Sequence, residues 1–198
     1  MANQGWNRRA PVMSEVNLDK LQDWINQGRI DPTKQITPKE LIESRLVGTV
    51  KDGIKLLARG STCLSQPVDI MVSRASGSAI AAVEAAGGKI LTRYYTKLAI
   101  GRLLTGESIN TDKPLPVGKE HVAGVLAEWK KNGAKYRLPD PTSREDIEYY
   151  RDPAHRGYLS FQLKEGESPS LYFKVPGEKK IKVQSTKEKK GEKEESLW

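Results

Sequence analysis

Two histidines, one cysteine and a scatter of arginines and lysines are what this 198-residue chain offers for chemistry. His121 and His155 stand far apart, and with Cys63 as the single cysteine no zinc-ligand set of standard spacing can be assembled. His121, at a helix start, reads as a capping or surface residue. Cys63 has no second thiol to join, which excludes an intramolecular disulfide and suits a reducing compartment. It lies in a Gly/Ser/Thr loop without a linked histidine motif, so a catalytic thiol is not expected. No glycine-rich phosphate loop is present, because Gly87-Gly88 precedes a strand rather than opening a helix and so reads as a helix stop. The carboxylates are spread along charged faces, and no pair stands out for acid–base work. The expectation is therefore no catalytic residue, no metal, no cofactor and no small-molecule substrate.

What remains is positive charge. The formal net charge is +8, hydrophobic residues make up 37% and charged residues 29%, and the mean hydropathy is -0.60. A core can form over only part of such a chain, and the basic balance argues for a polyanionic partner through counterion release. No apolar run approaches the roughly 20 residues of a membrane-spanning helix. The cations punctuate loops and strand ends. Arg8 and Arg9 lie in the first segment, Lys34 and Lys39 flank a helix start, and Lys51, Lys55 and Arg59 flank a strand. Arg74 precedes a helix, and Arg93, Lys97 and Arg102 follow the last core strand. Each one singly reads as solvated, since acids such as Asp52 and Asp69 are interleaved. Together they are candidates to grip nucleic-acid phosphates from several directions.

The elements that would carry these cations can be read from periodicity and caps. Residues 1–16 read as an extended basic stub; its start, Met1 to Met13, carries Arg8 and Arg9 and no acid, which gives it a faint transit-peptide character, but it is too short to count as one. Asn17 can cap a helix with Leu18, Leu21, Trp24 and Ile25 on one face and Gly28 as its stop. Thr37, Pro38 and Glu40 are spaced as a capping box with proline at the first helical position, and Leu41, Ile42 and Leu46 give the apolar face. Ile54–Leu57 reads as a strand, as do Val68–Val72 and Lys89–Tyr95, with a small-residue helix over Ala79–Ala86 opened by Ser76 or Ser78.

The fold class is thus α/β: a small mixed core over 17–96, in the order helix, helix, strand, strand, helix, strand, with an irregular C-terminal extension over 97–176. Glycines and prolines break that extension, leaving a helix at Lys119–Asn132 with Val122, Val125, Leu126 and Trp129 on one face. A short helix capped by the Thr142/Glu145 spacing runs through Tyr149, and Tyr158–Leu163 with Leu171–Val175 reads as a hairpin around Gly166. Residues 177–198, rich in Lys and Glu, read as a disordered, solubilising tail.

Three stretches carry a resemblance. Gly28-Arg29-Ile30-Asp31 with Ile36-Thr37-Pro38-Lys39-Glu40-Leu41, then Val50 to Gly60, then Ala75 to Lys89, resemble in order and spacing the globular domain of the bacterial and organellar large-subunit ribosomal protein fifteen family. Tyr149-Tyr150-Arg151-Asp152-Pro153-Ala154-His155-Arg156-Gly157-Tyr158-Leu159 is similar to a segment in the C-terminal extension of mitochondrial members, pointing to a fungal branch. The resemblance implies a structural constituent of the large ribosomal subunit in the mitochondrial matrix, with ribosomal RNA and neighbouring ribosomal proteins as partners. The family usually carries a long Gly/Arg/Lys-rich arm before the globular domain; here only Met1 to Pro11 stands in that place.

Two other functions compete with this one. Strand–helix–strand cores also host enzymes, but that reading lacks a catalytic constellation. A protein-binding adaptor would use Tyr149, Tyr150, Tyr158 and Tyr172 as its contact surface.

Overall fold

The structure, a computed structural model, describes residues 11–116 and 118–173. Arg8, Arg9 and the tail from Gly177 onward lie outside the described residues.

The chain enters as a strand. β1 (Met13–Asn17) pairs in parallel with β2 (Gly53–Leu57), which pairs in parallel with β4 (Arg74–Ala75). Ser14 and Val16 of β1 and Ile54 and Leu56 of β2 are buried on the core side, while Glu15 and Lys55 alternate away from it. A second sheet pairs β3 (Asp69–Val72) with β5 (Lys89–Thr92), again in parallel. Ile36 bridges the free side of β3, and Gly157 bridges the free side of β5. Ser73, fully buried, sits where the chain leaves β3 for β4; its hydroxyl accepts from the Ile54 N–H at 3.0 Å. That bond satisfies the β2 backbone at the point where one sheet hands over to the other.

α1 (Leu18–Asn26) follows β1 directly. The expected Asn17 side-chain cap is absent. Its job is done by the Arg59 carbonyl, which accepts from the Asp19 N–H at 3.0 Å, and by the Asp19 carboxylate, which accepts from the Lys20 N–H at 2.7 Å. α2 (Pro38–Glu43) has the expected box: the Thr37 hydroxyl accepts from the Lys39 N–H, and the Glu40 carboxylate accepts from the Thr37 N–H at 2.9 Å. The helix stops before Leu46, because Arg45 turns left-handed at φ 62°. The Trp24 indole then donates to the Ser44 carbonyl at 3.0 Å and ties α1 to the end of α2.

α3 (Gly77–Ala85) is capped by Ser76, whose hydroxyl accepts from the Ala79 N–H at 3.3 Å; of the two serines, this is the one that opens the helix. The glycine pair behind it serves two needs. Gly87 takes φ 78°, and a Cβ on Gly88 would lie 2.4 Å from the Val68 carbonyl oxygen. Only glycine lets β5 start this close to the approach of β3. One apolar cluster, including Leu18, Leu21, Leu41, Ile54, Leu56, Ile70, Val72, Ile80 and Val83, unites these elements.

Beyond β5 the structure departs from the expectations at three helices. α4 (Lys97–Leu104) forms where none was expected; Thr96 caps it, and Ile100 and Leu103 pack with Met71, Tyr95 and Leu138. Gly101 reads as a breaker in the sequence, yet an interior helical glycine costs only about 1 kcal/mol, which this burial offsets. α5 (Lys119–Lys131) spans the expected residues, but none of them is buried. α6 (Arg144–Arg151) is capped by Ser143 rather than Thr142: the Ser143 hydroxyl accepts from the Asp146 N–H at 3.2 Å.

Among the described residues the expected hairpin does not form. Gly157 instead joins β5: the Thr92 N–H donates to the Arg156 carbonyl, and the Tyr158 N–H donates to the Thr92 carbonyl. Ser160–Gln162 then makes a 3-10 turn, and Leu171–Phe173 shows no strand. The backbone groups that a hairpin would use next to Tyr158 are already spent on the core sheet.

Candidate nucleic-acid interface

The core places its candidate cations on separate faces. Lys51 is exposed before β2, at the N-terminal ends of the parallel strands. Arg59 lies past the C-terminal end of β2, largely exposed, with its Nε 2.9 Å from an Asp19 carboxylate oxygen. Lys34 and Lys39 are exposed or nearly so and pair loosely with Asp31 at 3.5 Å and Glu43 at 3.8 Å. Lys97 is exposed in the first turn of α4. Ion pairs this exposed are worth little and exchange readily for phosphate. Lys55 is half-buried between its register neighbours Glu15 and Arg74, so it belongs to an alternating charge row rather than to an open patch.

Two candidates are turned inward. Arg93 is 1% exposed; its guanidinium lies 4.5 Å from the centroid of the Tyr158 ring, donates to the Lys113 carbonyl at 3.4 Å and approaches Asp140 at 3.9 Å. A side chain held in this way has no surface to offer a phosphate, so Arg93 is a structural residue and not an RNA contact. Its position after β5 suggests a loop cation in the sequence, but β5 ends at Thr92 and the extension closes over it. Arg74 is half-buried: it donates to Asp146 at 2.6 Å and lies 4.9 Å from the Tyr149 ring centroid. Its charge is already answered from within the chain.

Both arginines are buried by the tyrosine-rich segment that resembles the mitochondrial extension. The Tyr149 hydroxyl accepts from the Ala75 N–H at 3.2 Å and lies 3.3 Å from the Ala75 carbonyl. The Tyr150 hydroxyl donates to the Ser73 carbonyl at 2.7 Å. The Tyr150 ring meets those of Tyr94, Tyr149 and Tyr158 edge-on, with centroids 5.9, 5.1 and 5.8 Å away. The Tyr158 hydroxyl donates to Asp140 at 2.8 Å. Burial raises the phenol pKa of Tyr150 above its ordinary value, and burial with the Asp140 bond does the same for Tyr158. Arg156 forks onto Glu84 of α3 at 2.5 and 2.9 Å, and His155 Nδ1 is 2.9 Å from Asp152. Tyr149, Tyr150 and Tyr158, candidates for an adaptor surface, thus face the core: Tyr149 bonds the edge strand β4 at Ala75, Tyr150 bonds Ser73 just before it, and Tyr158 lies beside β5. Tyr172 is exposed, with Arg144 5.1 Å from its ring centroid.

A further cationic cleft is not among the sequence-based candidates. It has a volume of about 410 Å³ and lies between the last turn of α5 and the Ala134–Arg137 segment, lined by Leu126, Trp129, Lys130, Lys135, Tyr136 and Arg137. The candidate Arg102, from α4, lies outside this lining but stacks on the Tyr136 ring, its guanidinium carbon 3.7 Å from the ring centroid. The signal for it is Trp129-Lys130-Lys131-Asn132-Gly133-Ala134-Lys135-Tyr136-Arg137, in which aromatics alternate with cations.

Among the described residues no group of three or more His, Cys, Asp and Glu is placed to hold a metal ion. Cys63 is a free, exposed thiol and His121 is exposed. No helix among the described residues is long and apolar enough to cross a membrane.

Comparison with known proteins agrees with this architecture. A family of ribosomal proteins that takes in 50S-L15, 50S-L18e and a 60S counterpart matches residues 15–91, from β1 to β5. The large ribosomal subunit protein uL15m of Neurospora crassa is 67% identical over 180 residues, covering 89% of this chain and 58% of that protein. The uL15m of Schizosaccharomyces pombe is 34% identical over 145 residues, covering 73% of this chain and 48% of that protein. The uL15 of Methylobacterium nodulans is 38% identical over 84 residues, covering 42% of this chain and 51% of that protein. The chain spans about half the length of the curated relatives it matches. Its core fits the family over β1 to β5, and its likeness to the Neurospora protein runs on through the docked extension, so the chain belongs to the uL15 family of large-ribosomal-subunit proteins, in the fungal mitochondrial branch.

Proposed function

We propose that this chain is a structural constituent of the mitochondrial large ribosomal subunit, located in the matrix, where it binds ribosomal RNA, meets neighbouring ribosomal proteins and supports translation. The observation that carries the reading is the 67% identity to a mitochondrial large-subunit protein over 180 residues, a length that exceeds the core and takes in the extension. The exposed cations on separate faces support the same role. A protein embedded in folded RNA meets phosphates from several directions, and such contacts position it without reading sequence. The proposed contacts from the described core are Lys34, Lys39, Lys51, Arg59 and Lys97, with Arg8 and Arg9 ahead of it. Arg102 and the half-buried Lys55 and Arg74 sit at the margins of this set.

On this reading the extension acts first as a brace. It bonds β4 and Ser73 just before it through tyrosine hydroxyls and pins β5 through Gly157, so the core surface presented to RNA is rigid before RNA arrives. No reaction is assigned to the chain, and no cofactor. The reading is tested by crosslinking intact mitochondria, capturing the tagged chain and sequencing the attached RNA. Large-subunit ribosomal RNA should be strongly enriched over other mitochondrial RNA. Its recovery at background level would contradict the proposal.

A further inference from the structure

We propose that the cleft between the end of α5 and Ala134–Arg137 is a separate RNA site, which holds an unpaired nucleotide by stacking on Trp129 and Tyr136 and by phosphate contacts from Lys130 and Lys135. The inference rests on the ribosomal reading for its supply of RNA, but it concerns the extension, outside the matched core of residues 15–91.

The first support is that α5 buries none of its residues among the described parts of the chain. Yet Val122, Val125, Leu126 and Trp129 share a face, and Leu126 and Trp129 line the cleft. Most helices owe their stability in water to packing of an amphipathic face. Among the described residues nothing buries the apolar face of this one.

The second support is charge, which decides what would cover that face. From Trp129 to Arg137 there are four cations and no acid. Lys130, Lys131 and Lys135 make no ion pair with a described residue, and Arg137 reaches Asp140 only at 3.7 Å. Asp140 also accepts from Tyr158 and faces Arg93, so its charge is shared away from the cleft. Lysine is depleted from the buried centres of protein–protein interfaces. Lysines alternating with open aromatic faces are what sequence-tolerant binding of single-stranded nucleic acid requires.

The third support is preorganisation. The Ser108 hydroxyl donates to the Tyr136 carbonyl at 2.8 Å, and the Glu107 carbonyl accepts from the Lys135 and Tyr136 N–H groups at 2.9 and 3.1 Å. This backbone is fixed to the end of α4, while the Tyr136 ring is 44% exposed. Arg102 covers one face of that ring, so a base would be offered the other. Ala134 closes the cleft floor, buried at 8%.

The test has two arms. In solution, the full chain is titrated with a short oligouridine RNA and with an RNA duplex of equal phosphate count. Trp129→Ala and Tyr136→Ala should each weaken oligouridine binding by roughly 5- to 100-fold, with the duplex little affected, and Trp129→Phe should retain most of the affinity. Because Trp129 lies on α5, which buries none of its residues, and the Tyr136 ring is 44% exposed, the alanine variants should melt with wild-type midpoints, so a loss of binding cannot be a loss of fold. Lys135→Glu should weaken both ligands. Equal oligouridine affinity for wild type and both alanine variants would overturn the site.

In the second arm, large subunits containing the chain are irradiated, digested and searched for RNA adducts. Adducts on the 129–137 peptide support the site. Adducts on core peptides alone, or chemical crosslinks from 129–137 to protein alone, overturn it and leave the ribosomal reading standing. Absence of the chain from the large subunit would contradict the ribosomal reading itself, while the solution arm would still decide the cleft.

Discussion

The Tyr150 hydroxyl and the Ser73 carbonyl meet at 2.7 Å across 77 residues of chain, and both groups are buried. Ser73 marks the crossing between the two sheets, so this one bond ties the extension to the joint of the core. Tyr150→Phe removes the donor and leaves a buried carbonyl without its partner. Such a loss costs roughly 1–3 kcal/mol, and the variant should melt several degrees below wild type by circular dichroism. An unchanged melting midpoint would mean that the extension does not brace the core.

Alkaline pH should act through the same residues. Burial holds the phenols of Tyr95 and Tyr150 above their ordinary value, and burial with the Asp140 bond holds Tyr158 there. The unfolded chain ionises its tyrosines near pH 10, while the folded chain keeps these three protonated. Unfolding then releases protons, so the stability these groups contribute is complete below about pH 10 and falls as pH rises beyond it. Urea midpoints should be flat from about pH 7 to 9 and decline above about pH 10, less steeply in Tyr150→Phe. Parallel declines in variant and wild type would show that Tyr150 takes no part.

Gly157 bridges β5 under the Tyr150 backbone, and a Cβ there would lie 2.1 Å from the Tyr150 carbonyl oxygen. The obstacle is backbone, which cannot swing aside as a side chain would. Gly157→Ala should therefore cost on the order of 1–3 kcal/mol. It should also raise hydrogen exchange at the Thr92 and Tyr158 amides, which pair across this bridge. Wild-type exchange at both amides would contradict the placement.

Charge variants should separate the structural arginine from the RNA-facing cations. Arg93→Ala should destabilise the fold by roughly 1–3 kcal/mol, because it empties a buried position beside Tyr158 and Asp140. Where the fold is intact, it should leave the salt dependence of RNA binding unchanged. Lys51→Glu with Lys97→Glu, at two exposed positions, should leave melting within error. It should also lower the slope of log affinity against log salt by roughly 0.7–0.9 for each phosphate no longer neutralised. An unaltered slope in that double variant would move the RNA-facing surface elsewhere.

How much of this is legible in the sequence depends on how local each signal is. Thr37, Pro38 and Glu40 predict α2 because every group in the capping box lies within one turn. Gly87-Gly88 predicts the end of α3 for the same reason. β1 is hidden, because Met13-Ser-Glu-Val-Asn has little apolar content and its partner β2 begins 40 residues later. Its hydrogen bonds supply what its composition lacks. Gly101 masks α4, and Thr142 competes with Ser143 because both fit a cap and only backbone geometry selects between them. Arg93 misleads for a related reason. A cation after a strand reads as exposed unless one knows that Tyr158 and Asp140, distant in sequence, fold over it. The Trp129–Arg137 cleft is easily passed over because Gly133 reads as a breaker, although the alternation of aromatics and cations around it is in plain view.

Sedimentation is the most direct test of the account. Mitochondrial lysate is fractionated on a gradient at moderate and at high salt, and the chain is followed by immunoblot beside large-subunit ribosomal RNA. The account predicts that the chain peaks with the large subunit at moderate salt, and that any release at high salt is steep, because each phosphate contact adds to the salt dependence. A peak at low mass under both conditions, with none on the large subunit, would contradict it.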